Sequence, residues 1–215
     1  MPQQIPLDLS PEPVFSFETF QVGDSNSDAA AMVRAWPQWP SPILLLAGPQ
    51  GSGKTHLGTA WARANSGHVF KSEDVTNAAK FNAGSVFIDQ ATDVLEDTLF
   101  TLMNMALNGK IEGLLMTART LPENWDIVIP DLRSRLVNTP VAILGEHEDD
   151  VLEAIIRKLF EDMGRSVKAD VTAYLMKNCD RSVNAMRTVI GELEHSARQS
   201  KRDMTRAFVA AQLKP

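Results

Sequence analysis

Cysteine is almost missing: among 215 residues only Cys179 carries a thiol. No internal disulfide can form, so the fold must rest on burial. One thiol also cannot build a zinc site. The four histidines, His56, His68, His147 and His195, stand at no metal-ligand spacing. Positive charge is not in excess, because 21 Lys and Arg face 27 Asp and Glu for a formal net charge of −6. Binding nucleic acid by bulk electrostatics needs a basic face, so the balance argues against that class, a small local patch aside. No apolar run exceeds Ile43 to Ala47, far short of the roughly 20 residues that span a bilayer. The opening Met1-Pro2-Gln3-Gln4-Ile5-Pro6 has no basic stretch followed by an apolar core. No signal peptide is therefore expected, and the scarcity of cysteine fits a cytoplasmic, reducing compartment.

What is present is an ordinary folded composition, 44% hydrophobic and 22% charged. The length suits one globular unit or two small subdomains. Prolines at 2, 6, 11 and 13 make residues 1–13 an extended tail. Ser27 is the expected cap of a helix running to Trp36. Ile43-Leu44-Leu45-Leu46-Ala47, bounded by proline and glycine, reads as a strand buried on both faces. A helix is expected from Lys54 to about Asn65, and Val69-Phe70 reads as a short strand. Ser85-Val86-Phe87-Ile88-Asp89, Gly113 to Thr117 and Val141 to Leu144 complete the strands. Between them lie a helix from Asp97 to Leu107 and another that accepts Pro130 in its first turn. Strands alternating with helices give an α/β fold with a parallel sheet. After Gly145 the pattern becomes all helical. The acidic run Glu146 to Asp150 opens a stripe of Val151, Leu152, Ile155, Ile156, Leu159 and Phe160, and Asp170, Ser182 and Thr205 are candidate caps for three further helices. The subdomain boundary is expected near 145, dividing 14–145 from 146–215.

Gly48-Pro49-Gln50-Gly51-Ser52-Gly53-Lys54-Thr55 matches the Walker A pattern between a buried strand and a helix, the context the motif demands. Its glycines let backbone N–H groups curl toward a phosphate. Lys54 brings a positive charge to the outer phosphates, Thr55 offers a hydroxyl to Mg2+, and the helix start adds its positive dipole end. Asp89, ending an apolar strand, is the expected Walker B acid that holds the metal directly or through water. The other reading of Asp89 is a cap on the next turn. Gln90 follows it and cannot accept a proton, which predicts weak hydrolysis by this chain alone. Arg133 and Arg135 lie two apart and so point to different helix faces. Arg181 and Arg187 flank the start of the third tail helix, and either could reach the nucleotide or be a solvated helix-end charge. Cys179 reads as a small buried apolar residue, and Met103, Met105, Met116, Met163, Met176 and Met186 as core filling.

The stretch Phe17 to Asn26, with Gly48 to Leu57 and its Lys54-Thr55-His56-Leu57, resembles the AAA+ module of the bacterial replication initiator DnaA. Pro130-Asp131-Leu132-Arg133-Ser134-Arg135-Leu136 resembles that family's box VII, which carries an arginine finger, and the helical tail resembles its lid. The resemblance spans about residues 14–215, without DnaA's N-terminal helicase-contacting domain or its helix-turn-helix domain. It implies an AAA+ P-loop sheet flanked by helices and followed by a small helical lid. It implies bound ADP or ATP with Mg2+, and places Val22, Gly23 and His56 with the P-loop in the nucleotide site. The family's sensor 1 aspartate falls near Arg119, leaving Thr117 as the ready polar group, and its second arginine sensor falls on Asn184 or Arg187. Gln4-Ile5-Pro6-Leu7-Asp8-Leu9 resembles the short peptide that binds the replicative sliding clamp, with Gln4 as anchor and Leu7 and Leu9 as plugs. Tail and module together are similar to the Hda-type DnaA homologues. That likeness implies partners in DnaA and the DNA polymerase III sliding clamp, with DNA met only indirectly and no membrane. It also implies that Arg135 acts in trans to promote hydrolysis of DnaA-bound ATP and so to restrain re-initiation of replication. A DnaC-like or DnaA-like loader that recruits a replication protein to DNA is the alternative. A small-molecule P-loop kinase is a third, disfavoured by the box VII segment. The oligomeric state, a homo-oligomer included, and the choice between ADP and ATP are not set by the sequence.

Overall fold

The computed structural model describes residues 15–75, 81 and 84–213. Gln4, Leu7 and Leu9 lie outside the described residues. In chain order the elements are α1 (Ser27–Arg34), β1 (Ile43–Ala47), α2 (Lys54–Ala64), β2 (His68–Lys71), β3 (Ser85–Asp89), α3 (Glu96–Leu107), β4 (Gly113–Ala118), α4 (Pro130–Val137), β5 (Val141–Ile143), α5 (Asp149–Asp162), α6 (Ala169–Asn178), α7 (Val183–Ser200) and α8 (Arg206–Gln212). The strands form one five-stranded sheet in the order β2-β3-β4-β1-β5, and every pairing is parallel.

The apolar run of β1 explains the layering. Successive strand residues point to opposite faces. Ile43 and Leu45 enter one core with Leu99, Leu102 and Met103 of α3 and Leu132 and Leu136 of α4. Leu44 and Leu46 enter the other with Ala29, Ala30 and Val33 of α1 and Leu57 and Trp61 of α2. Parallel strands need crossover helices, which cover both faces, so an interior strand has no polar side to show. Leu46 is fully buried, and Leu46→Ala would cost on the order of 2–5 kcal/mol by cavity formation. The second core continues into an indole cluster, with Trp39 stacked on Trp61 at 5.1 Å between ring centroids. Helices α5 to α8 enclose a third cluster of Leu152, Ile156, Phe160, Leu175, Ile190 and Phe208.

Two expected caps are corrected. Asn26, not Ser27, precedes α1 as its N-cap. Its side chain is committed to the loop before it: Oδ1 accepts from the Gly23 N–H at 3.0 Å and Nδ2 donates to the Gln21 carbonyl at 3.1 Å. That helix also ends at Arg34, before Trp36. Asp170 lies inside the first turn of α6, whose N-cap is Lys168; a carboxylate there still meets the positive end of the helix dipole. Ser182 and Thr205 cap as expected, accepting from the N–H groups of Ala185 and Phe208. No helix among the described residues is long and apolar enough to cross a membrane.

Candidate nucleotide site

The site is built where β1, β3 and β4 end together. In a parallel sheet those C-terminal ends and the loops that follow them form one crevice. The glycine loop 48–53 leaves β1 and turns into α2. Gly51 and Gly53 take φ of +81° and +93°, a region open to glycine without strain. Space enforces the choice as well. A Cβ on Gly51 would lie 2.6 Å from Ser182 Cβ, and one on Gly53 would lie 2.9 Å from Phe20 Cε2. The loop is therefore wedged between the start of α7 and the segment that precedes α1.

Lys54, the first residue of α2, is buried. Its ammonium donates to the Gly48 carbonyl at 2.8 Å and the Pro49 carbonyl at 2.6 Å. Burial lowers its pKa; the nearby Asp89 carboxylate opposes that and the Arg119 charge adds to it. Thr55 Oγ1 donates to Asp89 Oδ2 at 2.8 Å. Thr117, fully buried at the end of β4, donates to Asp89 Oδ1 at 2.6 Å and accepts from the Gln90 N–H at 2.9 Å. Gln90 itself sits at φ +59°, a left-handed conformation unusual for a residue with a Cβ.

A phosphate group with a divalent cation fits this chemistry. The loop offers glycine backbone at a helix start, one ammonium, and a hydroxyl beside a carboxylate. Among the described residues no three His, Cys, Asp or Glu side chains cluster as a metal cage. Mg2+ held through phosphates asks only one or two carboxylates and retains water, so Thr55 and Asp89 suffice.

His56, the third residue of α2, is held by the segment that precedes α1. Its Nε2 lies 3.1 Å from Thr19 Oγ1 and 3.0 Å from the Ser16 carbonyl, with the Phe15 and Phe20 rings edge-on at 5.2 and 5.4 Å. Burial lowers its pKa. These contacts tie residues 15–20 to α2. Val22 is half exposed, and a Cβ on Gly23 would fall 2.4 Å from Val151 Cγ2, so that loop rests on the first turn of α5.

The arginines separate. Arg181 pairs with Asp149. Arg187, in the second turn of α7, keeps a buried Nε without a hydrogen-bond partner, and its charge contributes to lowering the His56 pKa. Asn184, the other register for that sensor, has a side chain outside the described ones. Arg133 donates to the Ile127 carbonyl. Arg135 lies over the Phe100 ring, 5.2 Å from its centroid, on the helix that leads into the edge strand β5.

Two residues escaped the sequence. His147 Nε2 donates to the Gly51 carbonyl at 3.0 Å, and Glu148 accepts from the Ser25 and Asp24 N–H groups at 3.0 and 3.3 Å. Both sit in an acidic run that read only as a helix start. Beside the loop opens a cleft of about 330 Å3, lined by Gln50, Ser52, Glu146, His147, Asp180 and Arg181.

No protein-family model matches the chain. Its structure is similar to domain III of the Thermotoga maritima replication initiation protein DnaA, at 21% identity and TM-score 0.77, covering 94% of this chain and 98% of that one. It is also similar to AMPPCP-bound DnaA from Aquifex aeolicus, at 19% identity and TM-score 0.66, covering 87% and 69%. The Thermotoga maritima RuvB Holliday junction branch migration motor is similar at 18% identity and TM-score 0.72, covering 92% and 70%. The chain therefore has the AAA+ fold of these proteins: a parallel sheet flanked by helices.

Proposed function

We propose that this chain is a regulatory AAA+ protein of the Hda type. In this reading residues 14–145 bind ADP or ATP with Mg2+ and residues 146–215 form the lid. Gly48 to Thr55 cradle the phosphates. Thr55 and Asp89 hold the metal, Val22 and Gly23 line the base pocket, and Arg187 supplies the second arginine sensor. The tail residues Gln4, Leu7 and Leu9 seat on the sliding clamp, and Arg135 acts on ATP held by DnaA. The observation that carries the reading is the Thr55–Asp89 contact at 2.8 Å, set within a DnaA-like fold. AMPPCP bound to DnaA of similar structure adds support for an adenine nucleotide.

The role in replication is tested by mixing ATP-loaded DnaA with clamp-loaded DNA and this protein, then following phosphate release. Stimulation is expected, and expected to vanish when Gln4, Leu7 and Leu9 are all replaced by alanine. Each leucine burial contributes roughly 1.5–3 kcal/mol before ordering costs. Binding to DnaA without stimulation would replace this reading with the loader or anchor.

A further inference from the structure

Two consecutive residues of the segment between β5 and α5 grip opposite loops of the site. His147 reaches the tip of the glycine loop, 96 residues away in sequence. Glu148 reaches the loop that ends at Ser25, 123 residues away. The Gly145 N–H adds a 3.0 Å bond to the Ser25 carbonyl, and Asp149 holds Arg181 just ahead of α7.

The chemistry of each grip is directional. A carbonyl oxygen only accepts, so the His147 proton sits on Nε2 and Nδ1 is bare. That Nδ1 is buried with no partner, so a second proton there would have no acceptor. The ring acts as a neutral donor. Peptide planarity then fixes the rest: with the Gly51 carbonyl drawn toward His147, the Ser52 N–H points to the opposite side. There it donates to the Pro49 carbonyl at 3.3 Å, so the His147 contact and this bond together fix the peptide between Gly51 and Ser52. Glu148 accepts from two successive N–H groups. This orients the 22–25 loop against α5, where Val151 leaves no room for a side chain at Gly23.

We infer that His147 and Glu148 are positioning residues of the nucleotide site, His147 presetting the phosphate-side loop and Glu148 the base-side loop. This rests on the nucleotide reading above. One linker thereby keeps the two ends of the site in register with the lid.

The test is calorimetry on the full chain with Mg2+ and AMP, ADP and ATP in turn. Glu148→Ala is expected to weaken all three by one common factor, about tenfold for a charge-assisted hydrogen-bond pair. His147→Leu is expected to weaken ADP and ATP about tenfold and AMP much less, and His147→Gln, which keeps an N–H donor, to restore most of the loss. In the unmodified chain, the His147 imidazole resonances should shift more with ADP than with AMP, which needs no variant to fold. Losses at His147 that are common to all three nucleotides, or equal shifts with ADP and AMP, would overturn the inference. No binding of any nucleotide by the parent chain would overturn the nucleotide reading and this inference with it. Parent binding that neither variant changes would overturn the inference alone.

Discussion

Thr117 and Asp89 share a 2.6 Å hydrogen bond across the ends of β4 and β3. The register that pairs Ile88 with Met116 brings them there. Because Thr55 serves the other carboxylate oxygen, both oxygens of Asp89 are held by hydroxyl donors. Thr117 also fastens the Gln90 backbone.

Thr117→Val keeps the volume but removes a donor and an acceptor at a buried position. Leaving Asp89 Oδ1 and the Gln90 N–H short of partners should cost about 1–3 kcal/mol of stability. Chemical denaturation measures this. The Mg2+-dependent part of ADP affinity should fall more than the Mg2+-independent part.

Acid should destabilise the fold in a defined window. Burial lowers the pKa of both His56 and His147 from the ordinary 6.5. Below that value the unfolded chain binds protons that the folded chain refuses, so stability rises with pH. The contribution is complete above about pH 6.5 and is lost as pH falls through the lowered folded values. Denaturant midpoints between about pH 7.5 and about pH 5.5 should show this slope. His56→Gln and His147→Gln should each flatten it.

Gln90 supplies no base, so the purified chain should turn over ATP slowly. Gln90→Glu places a carboxylate beside Asp89 and should raise the rate, by roughly 10²–10⁴ if it acts as a full general base. Vigorous turnover by the unmodified chain would contradict the assignment.

Arg135→Ala removes a guanidinium that rests on Phe100, worth about 0.5–1 kcal/mol at such a site. On the Hda-type reading, the variant should keep its fold and nucleotide binding, yet lose stimulation of DnaA on the order of 10³-fold or more. If it stimulates as well as the parent, Arg133 becomes the candidate.

The parts legible in the sequence are those written locally. An all-apolar run such as Ile43 to Ala47 has one reading once proline and glycine bound it, and the structure places β1 on those residues. The Walker A spacing fixes a strand, a loop and a helix in one stroke. Caps were less legible. Asn26 takes the cap position while its side chain ties up Gly23 and Gln21, a commitment that the residue types alone do not reveal. Least legible were His147 and Glu148, whose partners lie about half the chain away. No period or spacing encodes such contacts. The arginines fall between: Arg181 and Arg187 looked alike in sequence. Only packing separates the one paired with Asp149 from the one with a buried, unpartnered Nε.

The central claim is that Gly48 to Thr55 hold an adenine nucleotide through Lys54, and titrating Mg2+ and ADP into the parent chain and Lys54→Ala tests it most directly. The parent should bind, and the variant should lose a few kcal/mol of affinity if the ammonium now bonded to the Gly48 and Pro49 carbonyls serves the phosphates, as proposed. Equal affinity in a folded Lys54→Ala variant, or no binding by the parent, would contradict the account.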